Sequence, residues 1–110
     1  MDDRPSNMPL KPVRSRFADD PRMKSLIDRF KAALEGRTTD LDRALEMSDL
    51  DRLASMAHQL KGSAGGYGFD SIGHAAAELE QETLSIEADL SSVRERVENL
   101  IQLCRSVTSR

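Results

Sequence analysis

The chain has 110 residues, near the usual size of one domain, so a single core is expected. Charged residues make up 32% of it and the formal net charge is -3, an acidic balance that argues against a groove for nucleic-acid phosphates. Only 4% of the residues are aromatic, while Leu, Ala, Met, Glu, Asp and Arg are plentiful, which favours an all-α fold.

Cysteine usage and hydropathy indicate the compartment. The single cysteine, Cys104, excludes an intramolecular disulfide and a cysteine-based zinc site, and it fits a reducing compartment. No apolar run approaches the ~20 residues needed to span a bilayer, and the N-terminus lacks the apolar core of a secretory signal. We therefore expect a cytoplasmic protein with neither a membrane nor a nucleic acid among its partners.

The N-terminal residues 1–18 are predicted to form an extended arm, and residues 19–110 a helical domain. The arm lacks sustained periodicity and is rich in prolines and basic residues: Pro5, Pro9, Pro12, Arg4, Lys11, Arg14 and Arg16. Phe17 is the residue we expect to dock it. The rest is interpreted as a solvated tail without an assigned function.

The first helix has a clear start, with Asp20 as N-cap and Pro21 at the first helical position. Apolar residues then recur at helical spacing on both sides of Gly36: Met23, Leu26, Ile27, Phe30, Ala33, Leu34, Leu41, Ala44 and Leu45. This preserved phase favours one long helix. The alternative ends the helix at Gly36 and starts another behind Thr39, whose pairing with Asp42 imitates a capping box.

The second helix is predicted to begin at Ser48 or Asp49 and to end among three glycines: Gly65, Gly66 and Gly68. Its inward side is expected to hold a regular apolar stripe: Leu50, Leu53, Ala54, Ala57, Leu60 and Ala64.

Two more helices complete the prediction. Phe69 followed by Asp70 indicates an apolar residue and an N-cap, before an inward stripe of Ile72, Ala75, Ala76, Leu79 and Thr83. Asp89 is expected to cap the last helix, whose stripe is Leu90, Val93, Val97, Leu100, Ile101, Cys104 and Val107. Short connections make neighbouring helices antiparallel, so the sequence predicts an up-and-down four-helix bundle.

His58 lies off the inward stripe of the second helix. At about 100° per residue it projects roughly 110° from the centre of that stripe, so its imidazole is predicted to reach solvent. A neutral imidazole is nucleophilic near physiological pH. Phosphorylation of its nitrogen gives a phosphoramidate that is labile enough to pass the phosphoryl group onward. Lys61 can bring its ammonium near an oxyanion formed there. Gly62 weakens the helix, and its presence is explained if a residue without a side chain is needed to clear the approach to His58.

The stretch His58-Gln59-Leu60-Lys61-Gly62-Ser63-Ala64, with Gly68 following, resembles the signature of the histidine-phosphotransfer (HPt) domain family. The resemblance covers roughly residues 20 to 107. It implies that His58 is phosphorylated, that Lys61 is the nearby cation and that Gly62 admits the partner's active site. In related domains a Gln or Glu on the following helix hydrogen-bonds the histidine. Glu80 occupies the matching position, with Gln81 as the alternative if the register shifts by one residue.

The same resemblance implies a carrier in a two-component phosphorelay. His58 would accept a phosphoryl group from an aspartyl phosphate of a response-regulator receiver domain, or from a hybrid sensor histidine kinase, and pass it to another receiver. The chain would have no kinase activity or cofactor of its own, and Mg²⁺ would belong to the receiver. A monomer needs no special assumption and is the state we expect. A non-catalytic helical interaction module is the alternative. His74 is interpreted as a structural or surface residue, because no metal-binding spacing accompanies it.

Overall fold

The computed structural model describes residues 13–107, which form four α-helices preceded by a 3-10 turn at Pro21–Met23. The helices are α1 (Lys24–Glu46), α2 (Leu50–Gly66), α3 (Asp70–Leu84) and α4 (Leu90–Arg105). Each helix packs against the next one in the chain, and α4 closes the ring against α1. The predicted all-α bundle of four helices is confirmed.

Helix α1 continues unbroken through Gly36. The Asp20 carboxylate accepts from the backbone N–H of Arg22 at 2.9 Å, so the predicted cap is present, although the first turn is a 3-10 turn. The alternative break behind Thr39 is wrong. The Thr39 hydroxyl donates to the carbonyl of Glu35 inside the helix, where it has no role as a cap.

The start of α3 differs by one residue from the prediction. Asp70 is the first residue of α3, and Phe69 takes the N-cap position without a side-chain cap bond. Phe69 is fully buried and stacks on Phe30, with ring centroids 5.1 Å apart. The Asp70 carboxylate instead accepts from the Arg16 guanidinium at 3.0 and 3.3 Å. Burial of the aromatic ring and this ion pair therefore fix the helix start.

Helices α2 and α4 begin at the predicted caps, Asp49 and Asp89, whose carboxylates accept from backbone N–H groups. The stripe of α4 is buried from Val93 onward, but the prediction that Leu90 belongs to it is wrong. Leu90 is 49% exposed because it lies one turn before Val93, at the end of the bundle. Two residues of the α1 stripe, Leu26 and Ala33, are also exposed.

The described end of the arm packs onto the bundle. The backbone N–H of Val13 donates to the carbonyl of Ser106, and the Ser15 hydroxyl donates to the carbonyl of Tyr67 at 2.6 Å. Both Val13 and Ser15 are buried, and Phe17 is partly buried. Residues 13–17 therefore cover the α2–α3 turn, while the predictions for residues 1–12 and 108–110 lie outside the described part of the chain.

Cys104 is buried in the core, as its place in the α4 stripe predicts. Burial raises the pKa of its thiol to about 11, since the low-polarity surroundings disfavour the thiolate. The thiol therefore behaves as a small apolar side chain. Among residues 13–107, no helix is both long and apolar enough to cross a bilayer.

Candidate functional site

The site is built on the middle of α2, where His58 projects from the helix away from the core. Its side chain is 67% exposed, as the phase of the α2 stripe predicts. The buried residues Leu53, Ala57 and Leu60 fix the rotation of α2 about its axis. This rotation places His58 beside α3 and open to solvent.

Glu80 of α3 joins the polar side chains of the site. Its Oε2 lies 2.9 Å from His58 Nδ1, and its Oε1 accepts from Lys61 Nζ at 2.9 Å. The Glu80 side chain is only 17% exposed, which limits its freedom to turn away. Gln81, the alternative, is exposed, and its side chain has no hydrogen bond to any of residues 13–107. The structure thus brings His58, Lys61 and Glu80 together and leaves Gln81 apart.

Close packing of α2 against α3 brings Glu80 within reach. Gly73 of α3 is buried, and a Cβ atom on it would lie 3.6 Å from the backbone nitrogen of Gly65 and from the carbonyl oxygen of Lys61. Gly65 follows Lys61 by one turn, so the narrow contact adjoins the site. Sequence reasoning missed Gly73. The signal was a glycine within the small, buried stripe of α3.

The electrostatics of the site keep Glu80 ionised. The hydrogen bond from Lys61 and then the one from His58 lower the pKa of the Glu80 carboxyl, against an opposing effect of desolvation. An ionised carboxylate only accepts hydrogen bonds, so the neutral His58 ring carries its hydrogen on Nδ1. The lone pair is then on Nε2 of the exposed ring.

Gly62 leaves the surface next to His58 clear. It is exposed one turn after His58, and a Cβ atom on it would have no neighbouring atom within 4 Å. Packing of the bundle therefore places no demand on this glycine. A glycine in a helix interior costs about 1 kcal/mol relative to alanine. Its open surroundings are consistent with a requirement imposed from outside the chain.

His74 is the second histidine of the chain and lies on α3. This histidine is exposed on α3, as expected for a surface residue. Within residues 13–107, no group of three or more His, Cys, Asp or Glu side chains is arranged to hold a metal ion.

In the comparison with protein families, the model described as Hpt domain matches residues 25–106, which include nearly all of the four helices. Searches of curated proteins and of solved structures give no match. Hpt domains are phosphocarriers of phosphorelays that interact with receiver domains and kinases. Because the match covers most of the 110 residues, the chain belongs to the Hpt domain family.

Proposed function

We propose that His58 carries the phosphoryl group, accepting it from the aspartyl phosphate of a receiver domain or from a hybrid kinase and passing it to another receiver aspartate. The contact of 2.9 Å between His58 Nδ1 and Glu80 carries this proposal. The contact favours the neutral tautomer with hydrogen on Nδ1, and the lone pair of Nε2 on this exposed ring would then be the nucleophile.

The transfer step needs no proton acceptor. The Nε2 lone pair attacks phosphorus, the bond between phosphorus and the aspartyl oxygen breaks, and the receiver aspartate leaves as a carboxylate. The ring keeps its hydrogen on Nδ1 and gains a positive charge as the new N–P bond forms. Glu80 stabilises that charge through the hydrogen bond already in place. Transfer to the next receiver reverses the same step.

Lys61 supports the transfer in two ways under this proposal. In the free protein its ammonium holds the second oxygen of Glu80, so the carboxylate keeps its orientation toward His58. Its side chain is 42% exposed, which leaves the ammonium accessible to a phosphoryl oxygen on the neighbouring ring. A compact cation beside a phosphohistidine offsets part of the added negative charge.

The receiver supplies the rest of the active site under this proposal. Its acidic pocket would hold the Mg²⁺, which would neutralise negative charge on the transferring group. Gly62 gives that pocket close access to His58. The contact is small and transient, as release after transfer requires, and the chain works as a monomer.

Radiolabelled phosphoryl transfer tests the proposal. Receiver domains phosphorylated by acetyl phosphate and Mg²⁺ are mixed with the protein. We expect a label that is labile in acid and stable in base, and that a fresh receiver removes. His58→Gln should take no label, while His74→Gln, the matched control, should be labelled like the wild type. Equal labelling of His58→Gln would exclude His58, and no label from any receiver or kinase would favour an interaction module without phosphoryl transfer.

A further inference from the structure

We propose that the groove between α1 and α2 binds an acidic segment of the receiver and thereby selects among receivers. The inference rests on the phosphocarrier function proposed above. The groove has a volume of about 490 Å³, and its walls include Gly36, Arg37 and Asp40 of α1 with Arg52, Ser55 and Gln59 of α2. It lies on the flank of α2 away from α3 and Glu80.

The groove is continuous with the surface around His58. Gln59 directly follows His58, and Ser55 lies one turn before it on the groove side of α2. An interface of standard size buries about 800 Å² on each partner, a patch roughly 30 Å across. Packed helices lie only about 8–10 Å apart. A receiver centred on His58 therefore covers the α1–α2 groove as well.

The charge of the groove differs in sign from that of the chain. Two arginines, Arg37 and Arg52, and one carboxylate, Asp40, line it, which leaves an excess of one positive charge in a chain of net charge -3. Neither arginine forms an ion pair with a carboxylate of residues 13–107. Arg52 is exposed and Arg37 is half-buried. A carboxylate that enters the groove can therefore pair with either guanidinium group.

The two flanks of helix α1 differ in charge, and the more basic flank faces the groove. At about 100° per residue, Arg29 falls on the flank that faces the groove. The opposite flank, toward α4, carries four carboxylates and two lysines: Asp28, Glu35, Asp42, Glu46, Lys24 and Lys31. Both lysines pair with Asp28, so this flank remains acidic. The groove flank of α1, with Arg29, Arg37 and Asp40, is therefore the more positive of the two flanks. An acidic partner would be attracted to this flank and oriented by it.

Gly36 gives the groove an open wall. It is an exposed residue in the interior of α1, and a Cβ atom on it would have no neighbour within 4 Å. As with Gly62, the bundle itself does not require the glycine. Close approach of a partner segment accounts for both, since one receiver footprint includes them.

Transfer kinetics with charge variants test the inference. Initial rates are measured with subsaturating phosphorylated receiver, at low and high ionic strength, for Arg52→Gln, for Arg37→Met, which keeps the apolar stem, and for the double variant. Asp40→Asn changes the groove charge in the opposite direction. Arg94→Gln is the matched control, because Arg94 is exposed and without an ion pair among residues 13–107, on a helix that does not contact α2. Phosphoramidate, whose nitrogen leaves as ammonia, phosphorylates His58 without a protein partner.

We expect the double variant to lose roughly 2- to 30-fold in rate at low ionic strength, as two solvent-exposed ion pairs contribute, and to approach the wild type in high salt. Asp40→Asn should be faster than the wild type, Arg94→Gln unchanged, and phosphoramidate labelling the same in all. A double variant as fast as the wild type would overturn the groove inference and leave the proposed function standing. An equal loss of rate with phosphoramidate would do the same. Failure of every receiver to label the wild type overturns the proposed function, and the groove with it.

Discussion

The Glu80 carboxylate links the two polar side chains of α2 at the site. One of its oxygens faces His58 Nδ1 and the other accepts from Lys61, each at 2.9 Å. Loss of this carboxylate would release both the imidazole and the ammonium. We therefore propose a positioning role for Glu80, which acts through His58 and does not require contact with the phosphoryl group.

Glu80→Ala should change the tautomer of His58. Without the acceptor, hydrogen is no longer held on Nδ1, and transfer from the receiver should slow by roughly 10- to 100-fold, as for other residues that orient a reactive imidazole. Glu80→Gln should keep the wild-type tautomer, because its amide oxygen still accepts. The measurement is the pair of imidazole ¹⁵N chemical shifts of the neutral ring. Gln81→Ala is the control, and an unchanged tautomer in Glu80→Ala would contradict the assigned role.

Substitutions of Gly62 should affect the stability of the protein and phosphoryl transfer differently. Gly62→Ala should raise the free energy of unfolding by about 1 kcal/mol, since the helix gains and no atom is displaced. Gly62→Trp should fold as well but block transfer from a receiver, while phosphoramidate still labels it. Urea unfolding and both labelling reactions check this. Unimpaired transfer from the receiver to Gly62→Trp would count against the steric role.

At the scale of elements, the α2–α3 turn is held by the arm. Gly68 follows α2 with φ +84°, a conformation that L-residues rarely adopt. A Cβ atom there would lie 2.7 Å from Ser15 Oγ and 2.9 Å from the backbone nitrogen of Arg16. The Arg16 N–H also donates to the Gly68 carbonyl. Backbone conformation and close contact thus both require glycine at this position.

Substitution of glycine by alanine should have opposite effects in this turn and in α1. Gly68→Ala should lower the free energy of unfolding by about 1–3 kcal/mol, from the strained φ and the displaced arm. Gly36→Ala should raise it by about 1 kcal/mol, because its surroundings are open. Denaturant unfolding of both variants measures this difference. A Gly68→Ala variant as stable as the wild type would show that the arm does not hold the turn.

The whole molecule shows which features periodicity can predict. Helical phase was sufficient to carry α1 through Gly36 and to place His58 on the surface. It did not locate the start of α3, because the Arg16–Asp70 ion pair joins residues 54 positions apart. The burial of Ser15 against Tyr67 depends on a similar long-range contact. Local patterns carry no information about such pairs.

For the site, too, local spacing predicted some residues, while others depended on how the helices pack. His58, Lys61 and Gly62 share one helix, so their spacing alone placed them together. The choice between Glu80 and Gln81 depended on the rotation of α3, which burial of Leu79 and Thr83 settles. The α1–α2 groove was missed, since Arg37 and Arg52 meet only when two helices pack.

Acid should destabilise the bundle through specific carboxylates. Hydrogen bonds from Arg16 lower the pKa of Asp70, and the hydrogen bond from Lys61 lowers that of Glu80. In the unfolded chain these groups take up protons at a higher pH, near 4, than in the folded protein. The stability that they contribute is therefore complete above that range and is lost as pH falls through the lower folded values.

The stability of Asp70→Asn should depend less on acid than that of the wild type. Urea unfolding between pH 6 and pH 3 gives the free energy of unfolding for each protein. The curves should converge as the pH falls, and added salt should reduce their separation because the ion pair is exposed. Curves that stay parallel over the whole range would show that Asp70 does not contribute to the acid response.

Identification of the phosphorylated atom tests the central claim most directly. The ¹⁵N-labelled protein is phosphorylated by a receiver domain, and correlation of ³¹P with imidazole ¹⁵N resonances gives the residue and the ring nitrogen. We predict a phosphoryl group on Nε2 of His58, with hydrogen retained on Nδ1 beside Glu80. A phosphoryl group on Nδ1, on His74 or on no histidine would contradict the account.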